Sequence, residues 1–190
     1  MDGVGGVGGV GGVGGVGGVA EGRGMSKDAT PNGVDAVRRE ISPEESARLW
    51  ERLRERWGPI GPSGPYWYPL NGRLGPPDVL VFRTDAFGDG VPLPVLRRIL
   101  IAHGVGRAWV LQDVGPLGTD LEMECRALGP FGSETYATAD GLDWLLYSSH
   151  EDTLSVGGAW LTAAIRRAWS RWQEGLWVPP AWWRRPDSAH

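Results

Sequence analysis

The sequence predicts an α+β fold: a single domain with a mostly antiparallel sheet packed by about three helices. Two observations predict it. Strand-like segments at 107–111, 120–127, 142–148 and 153–156 follow one another with no helical period between them, the pattern of an α+β rather than a doubly wound chain. Within 120–127 polar and apolar residues alternate, which is the period of a strand with one face in the core and one in water, common in antiparallel sheets.

Each element has its own local reason. A helix is expected over 43–57. Ser42 stands at the N-cap, Pro43 at the first helical position and Glu45 three residues after the cap, a capping-box arrangement. Ala47, Leu49, Trp50, Leu53 and Trp57 make one apolar stripe, Glu44 and Arg48 pair at i,i+4, and Gly58-Pro59 stops the helix. A Gly/Pro-rich connection, 58–77, carries the aromatic run Tyr66-Trp67-Tyr68-Pro69-Leu70. A short β-prone run, 78–82, reads as a buried strand, followed by a turn at 87–90. The second helix, 93–103, has Val95, Leu96, Ile99 and Leu100 as its stripe and Gly104 at its end. In 120–127 the alternation directs Leu121, Met123, Cys125 and Ala127 inward and Asp120, Glu122, Glu124 and Arg126 outward. After Gly157-Gly158 the third helix, 159–173, aligns Leu161, Ala164, Ile165, Ala168 and Trp172, with Gly175 closing it.

The domain so defined spans 37–178. Before it, residues 1–36 hold the three-residue repeat GVGGVGGVGGVGGVGGV, whose side chains are too small to offset the entropy of ordering. The repeat lacks the basic start of a signal peptide and is too weakly apolar for a membrane span, so a disordered tail in a cytoplasmic protein is expected, with Met25 as an alternative start. After the domain, residues 179–190 read as a Pro/Trp/Arg strap in which Trp182 and Trp183 pack back onto the core. Six of the 11 tryptophans crowd the last 31 residues, and tryptophan serves equally as core filler and as binding hot spot.

Composition excludes several classes of function. The 190 residues are 41% hydrophobic and 22% charged with a net charge of −4, which gives no general pull toward nucleic acid or an anionic membrane. A single cysteine, Cys125, excludes an internal disulfide and a cysteine-rich zinc module. All basic residues except Lys27 are arginine, as GC-rich coding favours, so arginine content is weak evidence for phosphate binding. Nucleic-acid binding through Arg166, Arg167 and Arg171 is the weakest reading, because the three arginines lie on one solvated helix of a chain whose net charge is negative.

Tests for chemistry are mostly negative. The run 85–90 fails as a calcium loop because Phe87 and Leu96 occupy ligand positions, and Gly104-Val105-Gly106 lacks the third glycine of a dinucleotide turn. The histidines His103, His150 and His190 suggest no metal set and no cofactor is implied. The run Ser148-Ser149-His150-Glu151-Asp152 is the candidate for catalysis, with Ser149 as the hydroxyl, His150 as base and Glu151 as its orienting group. The competing reading is a hairpin turn whose short polar side chains bond to the backbone. On an extended chain neighbouring His and Glu side chains diverge, which weakens that couple.

Charge is segregated along the chain. Residues 78–152 carry a net −7, while 37–77 and 153–190 carry +2 and +3. Asp120, Glu122 and Glu124, recurring at every second residue, form an acidic stripe suited to a basic partner protein, with Glu122→Ala expected to change stability little. Trp50 and Trp57, the run 66–70, the run Asp143-Trp144-Leu145-Leu146-Tyr147-Ser148-Ser149-His150-Glu151 and Gly157-Gly158-Ala159-Trp160-Leu161 together resemble a class of small actinobacterial-type proteins, some of which look like immunity proteins. That resemblance implies a non-enzymatic protein-binding module that inhibits a partner toxin; the alternative is a small hydrolase-like enzyme using 148–152. Deleting residues 1–24 should leave the melting temperature unchanged, and a clear fall in a thermal melt would mean that the repeat contributes to the fold.

Overall fold

A computed structural model describes residues 38–61, 67–68, 78–88, 92–113 and 119–180. The repeat tail and the last ten residues of the expected strap, with Trp182 and Trp183, lie outside the described residues, as do Tyr66, Pro69 and Leu70. The elements in chain order are β1 Arg38–Glu40, α1 Pro43–Trp57, β2 Val79–Arg83, α2 Asp85–Gly88, α3 Pro92–Ala102, β3 Arg107–Gln112, β4 Leu121–Glu124, β5 Thr135–Thr138, β6 Leu145–Ser149, β7 Thr153–Gly157 and α4 Ala159–Ala168.

Helix α1 begins and ends where its sequence dictates. The Ser42 hydroxyl accepts the Glu45 N–H at 3.2 Å, Pro43 sits in the first turn, and Gly58 takes φ of 90° at the C-terminal end, a conformation that favours glycine. Leu49, Trp50 and Leu53 are buried, whereas Ala47 is exposed and lies off the stripe. The Glu45 carboxylate faces back to the Ser42 backbone N–H, as a capping box requires, and is also held by Arg39 of β1 at 2.8 and 2.9 Å.

Among the described residues seven strands form one sheet in the order β1-β4-β3-β5-β6-β7-β2, with every pairing antiparallel. The α+β reading therefore holds. The expectation of one wet face does not. Helix α1 with Trp57 and Trp67 packs on Leu111, Tyr136, Leu145 and Tyr147, while α2, α3 and α4 pack on the opposite face over Val110, Ala137, Leu146, Leu154 and Val156. The sheet is the middle layer of three, so all five residues of both β6 and β7 are buried.

Two strands escaped the sequence reading: β1, three exposed residues at the sheet edge, and β5, whose TYAT has no apolar alternation because both faces are covered. The strand expected over 120–127 stops at Glu124, and Cys125–Ala127 turns into a 3-10 helix. Met123 and Cys125 are in the core as expected, but Glu122 is only 9% exposed. Its carboxylate lies under the guanidinium groups of Arg39, at 2.8 Å, and Arg107, at 3.1 Å. Pairing of β4 with β1 and β3 brings both arginines over it, a consequence of register. The third helix ends early, at Ala168, and Trp172 falls in a following 3-10 turn, half-buried against the core, with Arg166 over its ring at 5.3 Å.

Met123→Asp should destabilise the domain by several kcal/mol, because it buries a carboxylate on the apolar α3–α4 side. Glu122→Ala should cost about 1–2 kcal/mol by removing charge-assisted hydrogen bonds. Urea midpoints for both variants check this; a Glu122→Ala midpoint equal to wild type would show its two ion pairs to be solvated and weak.

Candidate functional site

The polar side chains converge at one end of the sheet, where β3 finishes, β5 begins and β6 turns into β7. Register assembles them. Gln112 pairs with Thr135, so Asp113 lies beside Glu134; Thr135 pairs with Ser148, so Glu134 lies beside the turn that holds His150. The Asp113 N–H donates to the Glu134 carbonyl at 2.8 Å. Two residues at this end have left-handed backbones without being glycine, Glu134 with φ of 52° and Asp152 with φ of 53°. Such conformations persist where surrounding contacts impose them, and they concentrate at functional sites.

Glu134 is the hub. It is 8% exposed, and both carboxylate oxygens are engaged. Oε2 accepts the Tyr147 hydroxyl at 2.5 Å. Oε1 accepts the His150 backbone N–H at 3.0 Å and meets His150 Nδ1 at 2.5 Å. A carboxylate can only accept, so Nδ1 carries the proton and Nε2 points away, 3.7 Å from Glu151 Oε1. The Tyr147 ring stacks on Tyr136 with centroids 4.4 Å apart and planes 22° apart. Burial, reinforced by Glu134, pushes the Tyr147 phenol far above its ordinary range, and burial does the same to Tyr136, so both remain donors. Asp113 is also raised, first by burial and then by the Glu134 charge.

The expected catalytic trio is only partly brought together. His150 has a carboxylate on Nδ1, but it belongs to Glu134; Glu151 approaches the other ring nitrogen because the chain turns there and is not extended. Ser149 is buried, its hydroxyl 2.8 Å from Thr153 Oγ1 and accepting the Glu151 N–H at 3.2 Å. The hairpin reading therefore describes Ser149, while the base-and-orienter reading describes His150 with a partner 16 residues earlier in the chain. No local signal could have found Glu134, since its place depends on β5 and the β5–β6 register.

The acidic stripe is committed within the fold. Asp120 accepts the Ser46 hydroxyl at 2.5 Å and the Gln112 N–H at 2.7 Å. Glu122 is held by Arg39 and Arg107, and Glu124 by Arg126. Cys125 is fully buried, its thiol pushed up to about 11 by burial, which leaves it unreactive. His103, one residue past the end of α3, lies flat on Trp160, 3.7 Å between centroids. Among the described residues no group of three or more His, Cys, Asp or Glu is placed to hold a metal ion, and no helix is long and apolar enough to cross a membrane.

Comparison of the chain with protein-family models, curated proteins and solved structures found no match.

Asp113 gives this end of the sheet a pH signature. A carboxyl with a raised folded-state pKa holds its proton more tightly folded than unfolded. Its contribution is thus fully present below the ordinary aspartate range and is lost as pH climbs through the raised one. Asp113→Asn cannot ionise and escapes that loss. Its urea midpoint should gain on wild type as pH rises above the ordinary aspartate range of about 4, and a constant difference would show that Asp113 is well solvated.

Proposed function

We propose that the protein is a non-enzymatic protein-binding module, an immunity-like inhibitor that acts by occupying its partner. The observation that carries this reading is how the Ser149 hydroxyl and the Glu134 carboxylate are spent. The Ser149 hydroxyl serves Thr153 and the turn, and the Glu134 carboxylate serves Tyr147 and the His150 main chain as well as the imidazole. These groups lock the hairpin rather than await a substrate. Asp120, Glu122 and Glu124 lend the reading little, because their partners are internal, and a basic partner docking on them would compete with Ser46, Arg39, Arg107 and Arg126. The surface that suits binding is helical: Ile101 of α3 is 49% exposed, and on another face, at the end of α3, His103 stacks on Trp160 of α4.

A second reading has one observation in its favour. The 2.5 Å contact of His150 Nδ1 with Glu134 is the arrangement that orients a general base, as a hydrolase-like enzyme requires. The two readings part in a hydrolytic substrate screen of the purified protein with Glu134→Gln and His150→Ala beside it. The binding module predicts no turnover that depends on His150. An activity that falls by about 100-fold or more in His150→Ala overturns it in favour of the enzyme.

A further inference from the structure

Helices α3 and α4 lie side by side on one face of the sheet and leave an open groove of about 610 Å³ between them. Its walls are Ile99, Ala102 and His103 from α3 and Trp160, Ala163, Ala164, Arg167 and Ala168 from α4. The spacing is helical on both sides, i, i+3 and i+4 from Ile99 and i, i+3, i+4, i+7 and i+8 from Trp160, so each helix turns one continuous stripe to the groove. The four alanines make a shallow floor on which another backbone can come close, and Trp160 with its stacked His103 forms an aromatic wall.

The charge of this face is one-sided. Neither α3 (PLPVLRRILIA) nor α4 (AWLTAAIRRA) contains an acidic residue, and each carries two arginines. Their arginines differ in how far they are occupied. Arg97 is bound to the Leu128 and Gly129 carbonyls, and Arg166 covers Trp172. Arg98, four residues before Ala102, and Arg167, on the groove wall, are exposed and form no ion pair among the described residues. Elsewhere Arg39, Arg83, Arg107, Arg126 and Arg171 are each paired with a carboxylate, Arg52 bonds the Asp140 carbonyl and Arg56 covers Trp57, while Arg38 at the sheet edge is exposed and without an ion pair among the described residues. Free cations beside an apolar trough on an otherwise acidic protein call for acidic groups from outside.

We propose that the α3–α4 groove docks an amphipathic helix of a partner protein, its apolar stripe on the alanine floor and Trp160, and its acidic flanks on Arg98 and Arg167. The proposal rests on the binding-module reading and names its partner's chemistry, which is opposite in sign to the basic partner that the stripe on β4 suggested. An apolar stripe supplies the contact area, and the carboxylates set orientation and speed of encounter. Within this chain, the C-terminal run AWWRRPDSAH has net positive charge and the repeat tail is too rich in glycine for a helix, so neither has the chemistry of the occupant.

The test uses the full chain and a dye-labelled peptide of about 18 residues, roughly five helical turns, with Leu at i, i+3, i+4 and i+7 and Glu elsewhere. A second peptide carries Lys for Glu. Fluorescence anisotropy should show the Glu peptide binding at least about tenfold more tightly than the Lys peptide, and weakening as salt rises. The exposed double variant Arg98→Glu, Arg167→Glu should lose about tenfold or more for the Glu peptide and gain for the Lys peptide, with circular dichroism confirming that it remains folded. Equal binding of the two peptides, no binding of the Glu peptide, or binding indifferent to the charge reversal overturns the proposal. A dimer in sedimentation velocity that dissociates in the double variant would also overturn it, by giving the groove to a second copy of the chain. These outcomes are separate from the failure of the binding-module reading, which only an activity dependent on His150 brings about.

Discussion

Burial of both faces of the central strands governs how polar groups are placed in this fold. Once β6 and β7 are covered by α1 on one side and by α3 and α4 on the other, every polar side chain on them must find a partner inside the protein, because water cannot reach it. Tyr147, Ser149, Thr153 and Ser155 do so: Ser149 bonds to Thr153, the Ser155 hydroxyl donates to the Tyr68 carbonyl, and Tyr147 donates to Glu134. On β5 the Thr138 hydroxyl donates to the Trp144 carbonyl at 2.7 Å. The same closeness explains Gly157 and Gly158. A Cβ on Gly157 would stand 2.5 Å from the Trp67 ring, and one on Gly158, whose φ is 111°, would stand 2.6 Å from the Asp143 carbonyl oxygen.

The polar cluster around Glu134 follows from that constraint. A carboxylate 8% exposed is tolerable only with donors on both oxygens, and the hairpin supplies three. The left-handed backbone at Glu134 is held by the same contacts and by the Asp113 N–H. The cluster therefore ties three strands, β3, β5 and β6, at one end of the sheet. Asp113 shows the opposing cost, since its charge is partly desolvated and close to Glu134, with Arg54 of α1 as the compensating cation.

Charge is divided by role. The acids of the β4 region stitch the sheet edge to α1 and β1: Asp120 to Ser46, and Glu122 to Arg39, which in turn holds Glu45. Of the arginines of α3 and α4, Arg97 and Arg166 are used within the fold, while Arg98 and Arg167 are exposed and unpaired among the described residues, Arg167 on the wall of the apolar groove. A sum over sequence windows detects the segregation of charge but cannot tell a charge used within the fold from one offered at the surface.

Features that depend on near neighbours in the chain can be read from local sequence. The cap at Ser42, the stop at Gly58, the stripe of Leu49, Trp50 and Leu53, helix α3, strand β3 and the inward direction of Met123 all rest on contacts within one turn or on the two-residue period, and all are in place. The α+β class was legible for the same reason. Pairing between distant segments settles the rest: that both faces of the sheet are covered, that TYAT is a strand, that Glu122 is clamped and not free, and that His150 belongs with Glu134 and not chiefly with Glu151. A shift of one residue in the β5–β6 register would turn Glu134 away from His150 and Tyr136 away from Tyr147. That register is set by the packing of the two layers on the sheet, which no short window of sequence contains.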